Sequence, residues 1–318
     1  MSINALLSSG DGSDESVDLA QWRHGKVSKD ELLWIDLESP SADELETVRD
    51  ALRLSEQAAD ALEADATGPD AAVLDGATAV VVLALADEIG DEPLPLLVML
   101  GEGWVLTRHD GPMPFLEDHR RRISDEREIG LLAPVQFMVS ILDWHVDAFF
   151  RAAETLESEV DDLDDAALRT EANLLDRLVT MRRRIARIRR ILRPHRELFA
   201  EMERPDFLPD LDESDSRAIA DVGKRLERAG EAVAHAREML IGTFDVHMTR
   251  TAQRTNDIIR VLTWASVILL PAVVLAGIMG MNFDVPLFDI SFLFFVVIGF
   301  MVLLAIGTLA VARWRRWL

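Results

Sequence analysis

The sequence predicts an α+β domain that is followed by long helices and, near the C-terminal end, by two membrane-spanning helices. Three observations predict this organisation: short β-like runs alternate with helical segments over 31–130, helix breakers are scarce over 213–280, and two long uncharged runs follow. The 318 residues include 33 Lys+Arg and 56 Asp+Glu, but only five of the basic and three of the acidic residues lie beyond residue 250. Two chemically different regions are therefore joined in one chain.

The N-terminal half contains the predicted α+β domain. Residues 1–30 have neither the basic flank nor the apolar core of a signal peptide, and their composition predicts a disordered acidic leader. Residues 31–130 contain β-like runs such as LLWIDL, together with helical segments in which Ser41 and Glu44 fit a capping box. We expect these residues to form an α+β cytoplasmic domain.

Helical patterns dominate the chain beyond this domain. Residues 131–212 predict long antiparallel helices, and 213–280 predict a stalk helix that continues into a first transmembrane helix. The tract at 158–168 is strongly acidic and the tract at 182–193 strongly basic. Pairing between these tracts on neighbouring helices is one interpretation, and a response of the acidic tract to cytoplasmic cations is the other.

Two apolar runs predict a membrane hairpin. Residues 261–280 carry no charge, and at 1.5 Å per residue they reach the roughly 30 Å of a bilayer core. Residues 291–312 form a second such run, which leaves 281–290 as a short external loop. The flanking arginines lie outside the hairpin and indicate that both termini are cytoplasmic, so we expect a multi-pass protein of the cell membrane; they are Arg250, Arg254 and Arg260 before it and Arg313, Arg315 and Arg316 in the basic tail 313–318.

Composition and motifs exclude several classes of function. The chain has no cysteine, and it lacks the sequence motifs of P-loop nucleotide binding, of serine hydrolases and of zinc peptidases. Its acidity disfavours nucleic acid and favours cations as partners. We therefore expect a protein that is not an enzyme and that needs no bound cofactor.

A polar stripe on the first span indicates a pore. At 100° per residue, one face of the helix aligns an acidic residue, an amide, hydroxyls and apolar side chains; the residues are Asp245, Thr249, Asn256, Ile259, Thr263, Ser266 and Leu270. Such a face has no purpose against lipid but suits a symmetry axis, and a pore lined by one helix per chain requires a homo-oligomer. The alternative is that these small polar residues pack helix against helix.

The C-terminal third resembles a known family. NDIIRVLTWASVILLPAVVLAGIMGMNF at 256–283, the short loop, the second apolar run and the end RWRRWL are similar to the CorA family of divalent-cation channels, including the Gly-Met-Asn motif at Gly280, Met281 and Asn282. The resemblance implies a funnel-shaped homopentamer whose long helix lines the pore. It also implies that Asn282 forms an outer ring, and that Asn256, Ile259 and Leu262 with Asp245 line the inner part.

These implied roles agree with the chemistry of Mg²⁺. This ion loses its water reluctantly, so a ring of carboxamide oxygens could accept hydrogen bonds from the hydrated ion without removing the water. Gly280 would allow a tight exit from the helix, and Asp284 and Asp289 would raise the local cation concentration. Ile259 and Leu262 would form a hydrophobic constriction that gates by dewetting.

The resemblance also implies regulation by intracellular Mg²⁺. Asp221 matches one acidic position of the family, whereas the partner motif has Ala61 in place of an acid, which leaves Asp60 or Glu63 as the substitute ligand. The external loop lacks the glutamate that the family usually has. This sequence therefore departs from the family pattern both at the inhibitory metal site and in the external loop.

The expected function is a passive, membrane-potential-driven channel for divalent cations, with Mg²⁺ preferred and Co²⁺ or Ni²⁺ as further ions. An alternative is a proton-coupled Zn²⁺ transporter of the ZntB kind, which generally has Gly-Ile-Asn where this chain has Gly-Met-Asn. A membrane-anchored acidic scaffold or sensor that conducts no ions is an alternative of a different class.

Overall fold

The computed structural model describes residues 3–9, 14–19, 22, 27–28, 30–85, 92–125, 133–169, 171, 173–204, 207, 211–281 and 292–314. The chain divides into two compact units, Met1–Phe244 and Asp245–Leu318.

The first unit is built on a mixed sheet. Within the described residues seven strands form this sheet, in the order β2-β1-β3-β7-β6-β5-β4; they are β1 (Ile3–Ser9), β2 (Asp14–Ser16), β3 (Glu31–Glu38), β4 (Asp70–Leu74), β5 (Ala77–Ala84), β6 (Leu94–Gly101) and β7 (Trp104–His109). Strands β3 and β7 are parallel, and the other neighbouring pairs are antiparallel. Strand β3 is buried over six consecutive residues, as expected for a strand that is covered on both faces.

The first residues of the chain belong to this sheet. Strand β1 pairs with β3 along its whole length, from Ile3 opposite Leu37 to Ser9 opposite Glu31, and β2 pairs with β1. The prediction of a disordered leader over 1–30 is therefore wrong for these two strands. The physical reason is that Ile3–Ser9 carries no charge and places Ala5 in the core of the domain.

The described helices α1 to α6 lie wholly or partly in the first unit. Helices α1 (Ala42–Leu52) and α2 (Glu56–Glu63) contribute Val48, Ala58 and Leu62 to the same core as β1 and β3. The predicted capping box is confirmed, because the Glu44 N–H donates to Ser41 Oγ at 3.4 Å and the Ser41 N–H donates to Glu44 Oε2 at 2.9 Å. The longer helices are α3 (Pro114–Asp125), α4 (Pro134–Arg169), α5 (Leu174–Met202) and α6, which runs unbroken over Glu213–Met279.

The start of α6 is fixed by Asp212. Its Oδ1 accepts hydrogen bonds from the Asp215 N–H at 2.8 Å and from Ser214 Oγ at 2.7 Å. The Asp215 N–H and the Ser214 hydroxyl, both of which stabilise the carboxylate, lower the pKa of Asp212. This arrangement satisfies an N–H group that would otherwise have no partner in the first turn of the helix.

Charged side chains connect the long helices. Arg184 of α5 binds Glu159 of α4, and Arg225 of α6 binds Asp143 and Asp147 of α4. The remaining arginines of the basic tract are exposed and form no ion pair within the described residues; they are Arg182, Arg183, Arg187, Arg189, Arg190 and Arg193. Pairing between the acidic and basic tracts therefore accounts for Arg184 but not for most of the basic tract.

Two buried histidines join the sheet to these helices. His195 Nδ1 lies 2.7 Å from the Ile191 carbonyl oxygen, so it carries the proton, and His195 Nε2 accepts the Leu83 N–H of β5 at 3.0 Å. His145 Nε2 of α4 lies 3.3 Å from the same acceptor. Burial lowers the pKa of His195 to about 4, and burial together with the charge of His195 lowers the pKa of His145. Both rings are consequently neutral at pH 7.

The second unit contains the C-terminal part of α6 and helix α7 (Leu293–Trp314). None of its described residues is buried. Within the described part of the chain, α6 is long and apolar enough to cross a membrane, with an 18-residue window of mean hydropathy 2.3. The apolar stretch of α7, Phe295–Thr308, is shorter.

Candidate functional site

The residues predicted to line a pore all lie on α6 and are all exposed in the single chain; they are Asp245, Thr249, Asn256, Ile259, Leu262, Thr263, Ser266 and Leu270. Ile259 is 54% and Leu270 67% exposed. Large apolar side chains in this number are covered by lipid or by other chains when a protein is stable.

Over 251–281, the partly shielded residues of α6 lie on a different face; they are Trp264, Ile268, Pro271, Ala272, Leu275 and Met279. At 100° per residue they centre about 140° away from the predicted stripe. Helix α7 has a matching shielded row at helical spacing, Val297, Met301, Ala305 and Thr308, which is consistent with packing of the two helices along these rows. The stripe therefore lies on the opposite side of α6 from its partly shielded residues. Leu262, which only the resemblance implied, lies at the edge of the stripe.

The polar side chains of the stripe present acceptor atoms. Thr263 Oγ1 donates its proton to the Ile259 carbonyl oxygen at 2.8 Å, and Ser266 Oγ donates to the Leu262 carbonyl oxygen at 2.9 Å. Each hydroxyl oxygen keeps its lone pairs, and Asn256 adds an amide oxygen. Oxygen acceptors in a row suit a cation or the water bound to it.

The end of α6 corresponds to the Gly-Met-Asn motif. The Gly280 N–H donates to the Ala276 carbonyl oxygen at 2.9 Å, and the Met281 N–H donates to the Ile278 carbonyl oxygen at 3.2 Å, so the last turn tightens. Gly280 does not have a left-handed φ; instead, a Cβ at this position would lie 3.3 Å from the Ala276 carbonyl oxygen. Close packing rather than φ is thus the reason for this glycine.

The other predicted residues of the loop and tail are only partly described. Asn282, Asp284 and Asp289 lie outside the described residues, as do Arg315 and Arg316. Arg313 is described as an exposed residue in the last turn of α7.

The predicted regulatory residues do not form a metal site within the single chain. Asp221 is exposed on α6 and lies 3.0 Å from Lys224 Nζ, while Asp60 and Glu63 are exposed on α2. Among the described residues no group of three or more His, Asp or Glu side chains could hold a metal ion.

Sequence reasoning did not single out a buried polar network at the ends of β3 and β7. Asp36, which is 2% exposed, accepts a hydrogen bond from Thr107 Oγ1 at 2.6 Å, lies 3.3 Å from His109 Nε2 and binds Arg120 of α3. Burial disfavours the charged form of His109, but the hydrogen bond and charge of Asp36 outweigh it and raise the pKa of His109. The residues come from three distant segments, so no local motif could have indicated the network. All of its residues belong to the first unit, whereas the stripe lies in the second.

Comparison with known families decides the identity of the fold. A family model described as "CorA-like Mg2+ transporter protein" matches residues 29–313. The chain belongs to this family. The match includes the stripe, the Gly-Met-Asn motif and α7 as far as Arg313. Membership of the family makes this CorA-like chain a transporter for divalent cations.

Individual relatives agree with this assignment. The chain is 26% identical over 278 residues to the putative metal ion transporter YfjQ of Bacillus subtilis, which covers 87% of this chain and 86% of the relative. It is 27% identical to the cobalt/magnesium transport protein CorA of Thermotoga maritima, over 63% of this chain and 57% of the relative. The zinc transport protein ZntB of Yersinia enterocolitica is 23% identical, over 57% of this chain and 56% of the relative.

A solved structure supports the same fold. The structure of the CorA magnesium transporter from Methanocaldococcus jannaschii superposes with a TM-score of 0.81 at 20% identity, and the match covers 97% of each chain. The predicted fold class, an α+β domain followed by a long helix and a C-terminal helical pair, is confirmed. The resemblance to the CorA family is confirmed with it.

Proposed function

We propose that this CorA-like chain forms a homopentameric, passive channel that conducts divalent cations, with Mg²⁺ as the preferred ion and Co²⁺ or Ni²⁺ as further substrates. The observation that carries the proposal is the exposed stripe on α6, which is directed away from the partly shielded face of the same helix. A stripe of oxygen acceptors needs copies of itself around an axis before it can enclose an ion. Asp221, with Asp60 or Glu63, is proposed to hold regulatory Mg²⁺ between chains.

The membrane arrangement completes this proposal. α6 and α7 cross the membrane, 281–290 faces the outside, and both termini lie in the cytoplasm because the arginines flank the hairpin on one side. An inside-negative potential supplies about 2.3 kcal/mol per charge per 100 mV, and a divalent ion gains about twice that amount. Uptake therefore needs no bound nucleotide.

Selection takes place at Asn282 in this proposal. Carboxamide oxygens around the axis accept hydrogen bonds from the water shell of Mg²⁺, which the ion keeps because dehydration is costly. Asp284 and Asp289 raise the cation concentration at the outer mouth. Ile259 and Leu262 close the inner part by excluding water.

Zinc transport coupled to protons is the second candidate, because relatives named ZntB match 57% and 80% of this chain. The presence of Met281 between Gly280 and Asn282 favours the Mg²⁺ proposal. Flux into proteoliposomes distinguishes the two: Mg²⁺, Co²⁺, Ni²⁺ and Zn²⁺ are each offered at a fixed membrane potential, with and without a pH gradient. We expect Mg²⁺ flux that is independent of the pH gradient. Zn²⁺ flux that stops when the gradient is removed would establish the second candidate instead.

Asn282→Ala tests the selectivity residue in the same liposomes. We expect this variant to lose Mg²⁺ flux, because an alanine cannot bind the water shell of the ion. Asn4→Ala is the matched control, since Asn4 is exposed on β1 in the first unit. Equal flux through both variants would show that Asn282 does not select the ion.

A further inference from the structure

A basic groove lies between α5 and α6 in the first unit. Its volume is about 530 Å³, which lies within the roughly 300–1,000 Å³ of ligand-sized clefts. Three exposed arginines, Arg182, Arg189 and Arg237, line it beside apolar side chains that include Ile241 and Phe244. Ile241 is 46% and Phe244 41% exposed, and none of the three arginines forms an ion pair within the described residues. A basic groove with apolar walls is an unusual surface for a chain of net charge −23.

An acidic face of complementary pattern lies on α4 of the same unit. Glu154, Asp161 and Leu168 recur at intervals of seven residues and therefore share one helix face, and all three are exposed. On α5, Leu175, Arg182 and Arg189 recur at the same interval and are also exposed. Leu168 and Leu175 are each 49% exposed. The two helices thus have solvent-facing rows of one apolar and two charged residues with opposite signs.

The two rows are level with each other along the helices. α4 and α5 are antiparallel, and the Glu159–Arg184 ion pair within the chain sets their register. From this pair, five residues towards the start of α4 lead to Glu154, and five residues towards the end of α5 lead to Arg189. By the same count Asp161 is level with Arg182 and Leu168 with Leu175. Each charged residue is therefore at the height of a residue of opposite charge.

We propose that the acidic α4 row of one copy docks antiparallel on the α5 row and basic groove of a second copy of this chain. A rotation about an axis parallel to these helices moves one copy onto the next without changing height, so it brings Asp161 to Arg182 and Glu154 to Arg189. Leu168 meets Leu175 and the apolar end of the groove. Such a contact joins two different surfaces and is the type that builds rings. The inference rests on the homo-oligomer of the proposed function and assigns it a contact surface.

Crosslinking tests the proposed pair directly, because the chain has no cysteine of its own. Two differently tagged full-length chains are co-expressed in membranes, one carrying Asp161→Cys and the other Arg182→Cys, and are treated with a short bismaleimide. The matched control replaces Arg182→Cys with Arg183→Cys, an exposed neighbour about 100° further around α5. We expect the crosslinked heterodimer to be several-fold more abundant with Arg182→Cys. Equal yields, or no crosslink between chains, would overturn the proposal.

A charge exchange keeps the test independent of crosslinking chemistry. R182E with R189E, or E154R with D161R, should reduce the oligomeric fraction in detergent, and the combination of all four should restore it. If the four substitutions together gave no larger oligomeric fraction than either pair, the interface would be contradicted. If no crosslink formed, and the protein bound anionic vesicles in a way that R182E with R189E abolished, the groove would be assigned to lipid instead. If the protein conducts ions but no crosslink forms, this interface is wrong and the proposed function stands. If the crosslink forms but no ion flux is measured, the interface stands and the proposed function is wrong.

Discussion

The two units of the chain treat apolar side chains in opposite ways. In Met1–Phe244, Leu33, Ile35 and Met99 are completely buried, whereas in Asp245–Leu318 Val261 and Leu303 are each 69% exposed and none of the described residues is buried. The first unit therefore has a core of its own. The second leaves its apolar surface exposed in the single chain, as expected for helices that cross a membrane.

The two units also differ in how their polar side chains form hydrogen bonds. In the first unit the buried carboxylate of Asp36 is paired internally, with Thr107 and Arg120. The second unit bonds the hydroxyl protons of Thr263 and Ser266 to its own backbone and leaves the oxygen acceptors outward. Stability is thus concentrated in the first unit, while the acceptors that suit ions are in the second.

The largest expected effect tests where the core lies. Phe149→Ala removes a fully buried ring that lies 5.1 Å from the His145 ring, and we expect it to lower the free energy of unfolding by about 3–5 kcal/mol. Phe300→Ala is the matched variant, because Phe300 on α7 is 53% exposed. Denaturant titration of the full-length protein in detergent, followed by tryptophan fluorescence, measures both. Equal losses would show that the first unit does not have an independent core.

Acid should destabilise the first unit next most strongly. The folded pKa of His195, about 4, and that of His145 lie below the unfolded value near 6.5, so between these values the unfolded state binds more protons. The contribution of these two histidines to the free energy of unfolding is therefore fully present above about pH 6.5 and is lost as the pH falls towards 4. His195 alone accounts for about 3 kcal/mol of this contribution. His109 acts in the opposite sense: its pKa is raised, so its contribution is present below about pH 6.5 and is lost as the pH rises through the folded pKa.

Unfolding measured at several pH values between 7 and 4 checks this expectation. His195→Gln should give a shallower dependence on pH, because an amide does not titrate. His235→Gln is the control, since His235 is exposed on α6. If both variants kept the slope of the parent chain, the buried histidines would not be the cause.

Local patterns predicted much of the fold. The capping box at Ser41 depends on residues three apart, and the α6 stripe depends on the 100° step of one helix, so each could be read from a short segment. The pairing of β1 with β3 could not be read in this way, because strand partners are distant in sequence. The short uncharged strand β1 is followed directly by an acidic segment, whose composition does not predict a strand.

The same distinction applies to the sites. Asp36 and Arg120 are 84 residues apart and His145 and His195 are 50 apart, and no spacing rule connects such pairs. The level rows on α4 and α5 became visible only after Arg184 and Glu159 had fixed the register of the two helices. Asp60 and Asp221 belong to no group of three or more possible metal ligands among the described residues, so their proposed regulatory role stays a prediction.

The proposed hydrophobic constriction at Ile259 and Leu262 leads us to expect a smaller effect, which would be seen in ion flux. Ile259→Ser and Leu262→Ser should each raise the leak of divalent ions through the resting protein several-fold, because a serine holds water where an apolar ring would exclude it. Ile258→Ser is the matched control: Ile258 is adjacent and 62% exposed, but it lies about 130° from the centre of the stripe. Liposome flux at high internal Mg²⁺ is the measurement. A comparable leak through Ile258→Ser would place the constriction elsewhere.

We expect the smallest effect from replacing one serine in each unit, Ser41 in the first and Ser266 in the second. Ser41 Oγ accepts the Glu44 N–H at the start of α1, and Glu44 Oε2 accepts the Ser41 N–H in return, so loss of this capping box in Ser41→Ala should cost about 1 kcal/mol of unfolding free energy. Ser266 Oγ donates to the Leu262 carbonyl oxygen, which already accepts the helical N–H of the fourth residue beyond it, so Ser266→Ala removes no required bond. We expect Ser266→Ala to leave unfolding unchanged while it alters flux, and Ser41→Ala to do the reverse. If Ser266→Ala changed stability as much as Ser41→Ala, the stripe would be a packing surface between helices rather than the wall of a pore.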